Sequence, residues 1–153
     1  MAHLSTHLLD PRERPAVVAD ACALVDRELT RTSGLSGMAL RAAHRVVVGI
    51  RPGMVPHAVD ALLPAFADQL DPFYQEYVAT GTPLPVLLDE QRGSMADALL
   101  SITDDRVSAS SNAAVRRAYQ SVRRSARGHV EAVAPGIGGL LAAHVPEVRA
   151  GSD

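Results

Sequence analysis

The highest local concentration of charge in the sequence is a set of five arginines on one face of a predicted helix. This arginine ridge consists of Arg116, Arg117, Arg123, Arg124 and Arg127. Because a guanidinium group can donate two parallel hydrogen bonds to a phosphate, the ridge could contact phosphate groups or nucleic acid. The alternative is a solvent-exposed face whose arginines pair with acids such as Asp89, Asp97 or Asp104. The formal net charge of only -2 supports the alternative, since no long-range field would attract a polyanion, and nucleic acid is not expected as a partner.

The aromatic side chains are also concentrated in one place. Four of the five lie in one short stretch of the chain, and they are Phe66, Phe73, Tyr74 and Tyr77. Aromatic walls are common in pockets for apolar ligands, so this cluster predicts a carrier or sensor of a small hydrophobic molecule. The alternative is ordinary core packing in which the tyrosine hydroxyls reach the surface.

The sequence contains no recognisable motif for catalysis. There is no Gly-x-Ser-x-Gly turn for a hydrolase nucleophile and no Glu-x-x-His pair for a di-iron bundle. Cys22 has no sequence neighbour that would activate its thiol. His3 and His7 have a spacing that could hold a metal on a helix, and the alternative is a short arm that docks on the body. We therefore predict no catalytic residue, no metal and no cofactor, and we do not expect an enzyme.

The elements that must position these residues are helices. Apolar residues recur at helical spacing along the chain, and no sustained alternating strand pattern interrupts them. Asp10-Pro11 and Asp71-Pro72 each combine a capping residue with a proline, which predicts the start of a helix. The sequence thus predicts an all-α, single-domain bundle of about six to seven helices. Their predicted spans are residues 10–31, 36–50, 54–70, 71–80, 86–103, 113–133 and 137–144.

One predicted helix, Ser36 to Ile50, differs from the others because it is apolar or small around most of its circumference. Only Arg41, His44 and Arg45 form a narrow polar stripe. A helix with so little polar surface is normally surrounded by other helices. The sequence therefore predicts that this segment is the central helix of the bundle. His44 and His57 lie on different predicted helices, so their spacing does not show whether they meet.

A chain of 153 residues corresponds to about one ordinary domain. We predict an N-terminal arm over residues 1–9, the bundle domain over residues 10–145 and a flexible tail over residues 146–153. The single cysteine excludes an intrachain disulfide, and the N-terminus lacks the features of a signal peptide. No apolar run reaches the ~18 residues of a membrane span. These features predict a cytoplasmic protein.

Three functional hypotheses remain open. The first is a non-enzymatic protein that acts through protein–protein contacts, as a homodimer or with another protein, because many apolar helix faces accompany the lack of catalytic motifs. The second is binding of a small hydrophobic ligand beside the Phe66–Tyr77 cluster. The third is contact with phosphate or nucleic acid through the Arg116–Arg127 ridge.

Six segments carry a resemblance to a known family. They are Leu8-Leu9-Asp10, Arg14-Pro15-Ala16-Val17-Val18-Ala19-Asp20, Ser33-Gly34-Leu35-Ser36-Gly37, Ala58-Val59-Asp60-Ala61-Leu62-Leu63-Pro64, Pro72-Phe73-Tyr74 and Val130-Glu131-Ala132-Val133-Ala134-Pro135-Gly136. Together they resemble a family of small, all-helical bacterial proteins of unknown function that is common in actinobacteria. The resemblance covers nearly the whole chain and implies an all-α fold. It implies no catalytic residue.

Overall fold

The computed structural model describes residues 2–148, and within that range the chain forms eight α-helices and no strand. The helices are α1 (Leu4–Leu8), α2 (Arg14–Arg31), α3 (Gly34–Ile50), α4 (Met54–Thr80), α5 (Leu84–Glu90), α6 (Arg92–Ser108), α7 (Ala113–Ala132) and α8 (Ala134–His144). The predicted all-α, single-domain fold is confirmed, with a helix count close to the expected six to seven.

Helix α4 is continuous, so the prediction of a separate helix starting at Asp71 is wrong. Pro64 and Pro72 both lie inside α4. The Asp71 carboxylate accepts the backbone N–H of Leu4 at 2.8 Å and lies 3.1 Å from Nδ1 of His3. This aspartate therefore satisfies a free N–H in the first turn of α1 instead of starting a helix of its own.

Several other helix boundaries differ from the predictions, including the end of α6 at Ser108 and the start of α8 at Ala134. The predicted helix over residues 86–103 is divided into α5 and α6 at Gln91, whose φ of -111° and ψ of 25° interrupt the helix. The apolar pattern did not reveal this break because Leu88 and Met95, on either side, both face the core. Helix α2 begins after the predicted start. The Asp10 carboxylate accepts the Arg12 N–H at 2.9 Å within the turn that precedes it.

The main core is formed by α1, α2, α4, α5, α6 and α8. Its most deeply buried large side chains are Leu4, Leu8, Val17, Leu84, Leu88, Met95 and Leu141. Helices α5 and α8 approach very closely at Gly138, where an added Cβ would lie 2.5 Å from Cα of Pro85. This contact fixes the C-terminal helix against the centre of the molecule.

The prediction that the helix over residues 36–50 is central is wrong. Within α3 only Gly37 and Ala43 are buried, whereas Leu35 and Met38 are 85% and 62% exposed. The central position belongs to α4, which packs against α1, α2, α3, α5 and α6. Helix α4 is longer and carries larger apolar side chains, such as Phe73, so placing it at the centre removes more apolar surface from water.

Helix α3 is attached to its neighbours by short side chains and one arginine. A Cβ at Gly37 would lie 3.0 Å from the carbonyl carbon of Thr32, so this end of α3 sits directly on the end of α2. Nη1 of Arg41 donates to the carbonyl oxygens of Leu29 and Thr32, at 3.2 and 2.9 Å. A small apolar cluster joins α3 to α7, and it contains Ala39, Ala43, Ala118 and Val122.

The two ends of the described chain pack near the same part of α4. Nε2 of His7 in α1 lies 3.0 Å from the Tyr74 hydroxyl, and the backbone N–H of Val148 donates to the Tyr77 hydroxyl at 2.9 Å. Most of the predicted tail, residues 149–153, lies outside the described residues.

His144 connects the end of α8 to α2. Its Nδ1 lies 2.9 Å from Oε2 of Glu13, its Nε2 lies 2.7 Å from Oδ2 of Asp20, and its side chain is only 8% exposed. Both ring nitrogens can donate only when the imidazole is charged. Burial lowers the pKa of His144, but the hydrogen bonds to Asp20 and Glu13 outweigh burial and leave the pKa above its ordinary value.

This arrangement predicts a pH-dependent contribution to stability. Because the folded-state pKa of His144 is raised, the contribution is complete below the unfolded pKa of about 6.5 and is lost as the pH rises through the folded value. We expect His144→Gln to lower the free energy of unfolding by about 1–2 kcal/mol near pH 6, with a smaller difference near pH 9. Urea denaturation at both pH values measures this difference, with exposed His57→Gln as the control. An equal loss at both pH values would contradict the charged contact.

Candidate functional site: an apolar cleft

An apolar cleft of about 430 Å³ lies among the helices. Its walls come from α1, α2, α3, α4, α6, α7 and α8, so almost every part of the fold contributes to it. The lining side chains are nearly all aliphatic, and they include Ala21, Val25, Val47, Ala58 and Leu62. Sites for small molecules commonly have volumes between about 300 and 1,000 Å³ with mainly apolar walls. This apolar cleft is the candidate functional site.

Part of the cleft lies between α3 and α4. Helix α3 is fixed at its start by Gly37 and along one side by its small cluster with α7. The lining side chains are Leu40 and Val47 on α3 and include Val55 and Ala58 on α4. These residues line the space between the fixed helices without closing it.

A second cleft of about 600 Å³ adjoins the first. The two share lining residues, including Val25, Leu40 and Ala58, so they are neighbouring parts of one apolar region. His44 and His57 both line this second cleft, although no hydrogen bond joins them among the described residues. The fold therefore brings these two histidines to one surface without pairing them.

One buried ionic group borders the apolar cleft. Glu28 on α2 and His129 on α7 both line it, and they are only 6% and 9% exposed. Nδ1 of His129 lies 2.8 Å from Oε2 of Glu28, and Arg31 donates two hydrogen bonds to the same carboxylate, at 2.7 and 2.9 Å. Burial raises the pKa of Glu28, but the hydrogen bonds from Arg31 and His129 outweigh burial and hold the pKa below its ordinary value. Glu28 is therefore an anion.

The other ring nitrogen of His129 is unpaired within residues 2–148. Nε2 is buried, and it makes no hydrogen bond with any residue that the structure describes. An ionised carboxylate only accepts hydrogen bonds, so Glu28 places the proton of His129 on Nδ1. Buried polar atoms without partners are rare in folded proteins. The surface of the cleft is apolar, so this nitrogen lies behind the wall and not on it.

The hydroxyl groups near the cleft are already engaged. Oγ1 of Thr103, which lines the cleft, donates to the carbonyl oxygen of Leu100 at 3.0 Å and lies 2.8 Å from the Tyr119 hydroxyl. The Tyr119 hydroxyl donates to Asp104 at 2.6 Å, and Asp104 also accepts from Arg123 at 2.7 Å. Burial and the hydrogen bond to Asp104 raise the pKa of Tyr119 to about 12. This network has no obvious spare group for a ligand.

The structure separates the four predicted aromatic site residues. Phe66 lines the apolar cleft. Phe73 and Tyr74 are buried in the main core, and Tyr77 packs partly buried against that core. Tyr74 stacks edge-on with His7 at a centroid distance of 5.6 Å. The aromatic cluster therefore does not form one wall of the cleft, and two of its members, Tyr74 and Tyr77, contact the two ends of the described chain.

The arginine ridge lies on α7 and is partly paired with acids. Arg123 donates to Asp104, at 2.7 and 3.1 Å, and Arg127 donates to both Asp97 and Glu131 at 2.9 Å. The hydrogen bonds from these arginines hold the pKa values of Asp97 and Asp104 below their ordinary values. This pairing supports the alternative interpretation of the ridge, in which its arginines pair with acids on a solvent-exposed face and do not bind phosphate.

The remaining ridge residues do not converge on one point. Arg116 donates to the carbonyl oxygen of Ser110. Arg117 and Arg124 are exposed, and neither forms an ion pair within residues 2–148. Two exposed guanidinium groups on an otherwise paired helix face make a weak anion site.

The described residues form neither a metal-binding cluster nor an activated thiol. No group of three or more His, Cys, Asp or Glu side chains among them could hold a metal ion. Burial, and secondly the charge of Asp26, raise the pKa of Cys22, so its thiol is not activated.

No single described helix is long and apolar enough to cross a bilayer. Helices α3 and α4 together have the length and the composition of a span, but their axes meet at 98°.

The residues that sequence reasoning missed are Glu28 and His129. They lie 101 positions apart in the sequence. The residues around each of them indicate only a polar residue near the end of a helix. The aliphatic residues that line the cleft could not be recognised as a site in the sequence either. Val, Ala and Leu at helical spacing predict a closed core just as well. Only Phe66 was both predicted as a site residue and found in the wall of the apolar cleft.

Comparison with known proteins identifies a family and no individual relative. No curated protein and no solved structure is detectably similar to the chain. The sequence model of one family matches residues 4–145, which is nearly the whole chain and all eight helices. The chain therefore belongs to the family of unknown function DUF6918.

Proposed function

We propose that this protein binds a small apolar molecule in the apolar cleft, as a carrier or sensor and not as an enzyme. The observation that carries the proposal is the cleft itself, a space of about 430 Å³ among aliphatic side chains. While the cleft is empty its apolar wall is exposed, and covering apolar surface contributes about 25 cal/mol per Å².

Water is a poor occupant for such a space. Water that contacts these walls finds almost no polar partner on them. An apolar molecule removes the same wall from water and gains ~0.8 kcal/mol for each methylene group that it buries. The cleft thus favours an aliphatic or terpene-like ligand over a polar metabolite.

A fluorescence titration tests this proposal. The probe N-phenyl-1-naphthylamine emits strongly only in apolar surroundings, so we expect saturable, micromolar binding to the full chain. Ala58 on α4 lines both clefts, and Ala58→Phe should fill the space and weaken probe binding about tenfold or more. Ala61→Phe, on the exposed face of the same helix, is the matched control and should bind like the wild type. Failure to bind the probe, or equal binding by both variants, would refute the proposal.

A second candidate function, self-association, is favoured by the outer face of α3. Its outer stripe consists of Leu35, Met38, Ala42, Val46 and Gly49, all of which are exposed. The large side chains lie at the start of the stripe and the smallest residues lie towards its end. In a two-fold antiparallel pair the bulky end of one stripe would face the small end of the other, and the interface would complement itself. The proposed occupant is therefore a second copy of this chain.

Sedimentation velocity at micromolar concentration tests the pairing. We expect the wild type to sediment as a dimer and the double variant Leu35→Glu/Met38→Glu as a monomer, because each charge would be buried at the contact. Val86→Glu replaces an exposed apolar residue outside α3 and should leave the dimer intact. A monomeric wild type, or a double variant that stays dimeric, would exclude this interface.

A further inference from the structure

We propose that the ligand is an aliphatic carboxylate, whose chain occupies the apolar cleft and whose charged end lies in the adjoining second cleft. This inference rests on the proposed ligand-binding function and specifies the chemical class of the ligand. The observation behind it is a change of surface between two neighbouring spaces. The surface of the apolar cleft is apolar throughout, whereas part of the surface of the second cleft is polar. A ligand that matches both surfaces is itself amphiphilic.

The polar side chains of the second cleft come from four parts of the chain. His44 lies on α3, His57 lies near the start of α4, and Arg106 lies near the end of α6. The segment between α6 and α7 adds Ser110 and Ser111. No Asp or Glu of the described chain lines this cleft. The second cleft therefore offers hydrogen-bond donors and a positive charge without a carboxylate of its own.

Arg106 supplies that positive charge. Its side chain is exposed, and it forms no ion pair with any residue that the structure describes. A second guanidinium group lies beside the cleft, because Arg116 donates to the carbonyl oxygen of Ser110. These two arginines make the polar end of the region attractive to an anion.

The acids near this end of the region do not cancel its positive charge. Asp104 contacts Tyr119 of the cleft wall, but it is already paired with Arg123 at 2.7 Å. Asp105 precedes Arg106 in the sequence and lines neither cleft. Arg106 is thus available to a negatively charged group of a ligand.

The donors favour a carboxylate over other polar groups. A guanidinium group can donate two parallel hydrogen bonds to a carboxylate, and the imidazoles of His44 and His57 provide further N–H donors. A quaternary ammonium group would be repelled by Arg106, and a neutral hydroxyl group would gain nothing from its charge. A phosphate monoester carries about -1.5 to -2 charges, which one guanidinium group on the wall neutralises only in part. A single carboxylate matches the single arginine.

Displacement of N-phenyl-1-naphthylamine from the full chain tests this inference. The competitors are decanoate, decanol, decyltrimethylammonium and decyl phosphate, which have the same alkyl chain length and differ in their polar end. We expect decanoate to bind about fivefold more tightly than decanol, which is the upper end of what an exposed ion pair contributes. Decyltrimethylammonium should bind more weakly than decanol, and decyl phosphate should not bind more tightly than decanoate.

Two variants show whether Arg106 is responsible for the preference. Arg106→Gln should bind decanol like the wild type and lose the preference for decanoate. Arg124→Gln removes the same charge at an exposed position outside both clefts and should keep the preference. Arg106 lies in the last turn of α6, where a cation also stabilises the helix. The melting temperature of each variant therefore accompanies the titration.

A measurement on the wild type does not depend on the folding of any variant. The preference for decanoate over decanol should decrease as the salt concentration rises, because screening weakens a contact between exposed charges. Equal binding of decanoate and decanol, tighter binding of decyltrimethylammonium or decyl phosphate, or a preference that survives Arg106→Gln would overturn the inference and leave the proposed function intact. If neither the probe nor any competitor binds, the proposed function fails as well.

Discussion

Gly138→Ala is expected to destabilise the protein by about 3 kcal/mol or more, which lowers the melting temperature by about 10 °C. A Cβ at residue 138 would lie 2.5 and 2.6 Å from Cα and N of Pro85, and 2.7 Å from the carbonyl oxygen of Leu84. All three are backbone atoms, so no side-chain rotation can relieve the overlap, and α5 would have to separate from α8. Thermal denaturation followed by circular dichroism measures the effect.

The adjacent glycine provides the control. Gly139 lies in the same helix, is exposed, and would have no atom within 4 Å of an added Cβ. Alanine is the better helix former, so Gly139→Ala should leave the protein unchanged or stabilise it by up to about 1 kcal/mol. Equal stability of the two variants would show that α5 and α8 do not pack as closely as described.

Glu28→Leu is expected to lower the free energy of unfolding by about 3 kcal/mol. The substitution removes the partner of the buried Nδ1 of His129, and breaking one side of a buried polar pair costs about 3–5 kcal/mol. We take the lower value because Arg31, the other partner of Glu28, is largely exposed and can be solvated. Adding His129→Phe should recover most of the loss, since replacing a whole buried pair with apolar side chains is often nearly neutral. Urea denaturation of the two single variants, the double variant and the wild type completes the cycle.

The same comparison should depend on pH. The folded-state pKa of Glu28 is lowered, so its contribution is complete above the unfolded pKa of about 4.3 and is lost as the pH falls through the folded value. The difference between wild type and Glu28→Leu should therefore shrink in acid. A difference that is independent of pH, or additive losses in the double variant, would contradict the ionised pair.

Local sequence patterns predicted most of the helices because helix formation depends on residues a few positions apart. Helices α2, α3 and α7 lie within a few residues of their predicted spans. The errors at α4 and α5–α6 have a shared cause. Asp71 resembles a helix cap in sequence, but its carboxylate is used by Leu4, which is remote in the chain. The break at Gln91 lies between two segments that present apolar residues to the same core.

The candidate site was far less predictable. The cluster from Phe66 to Tyr77 is local in sequence, but α4 turns Phe66 towards the cleft and Phe73 and Tyr74 into the main core. The arginine ridge was visible as five charges, whereas its pairing depends on where α6 places Asp97 and Asp104. The apolar composition indicated how much apolar surface the fold must bury, but it did not indicate which helix would remain exposed.

By itself the sequence determined that the chain is an all-α domain and which residues share each helix face, because these properties follow from local spacing. Only the tertiary structure decided that α4 is central, that α3 is peripheral, and that a cleft remains between them. It also decided that Glu28 meets His129. These outcomes depend on the relative placement of whole helices, and many arrangements bury similar amounts of apolar surface, so the pattern along the chain does not select one of them.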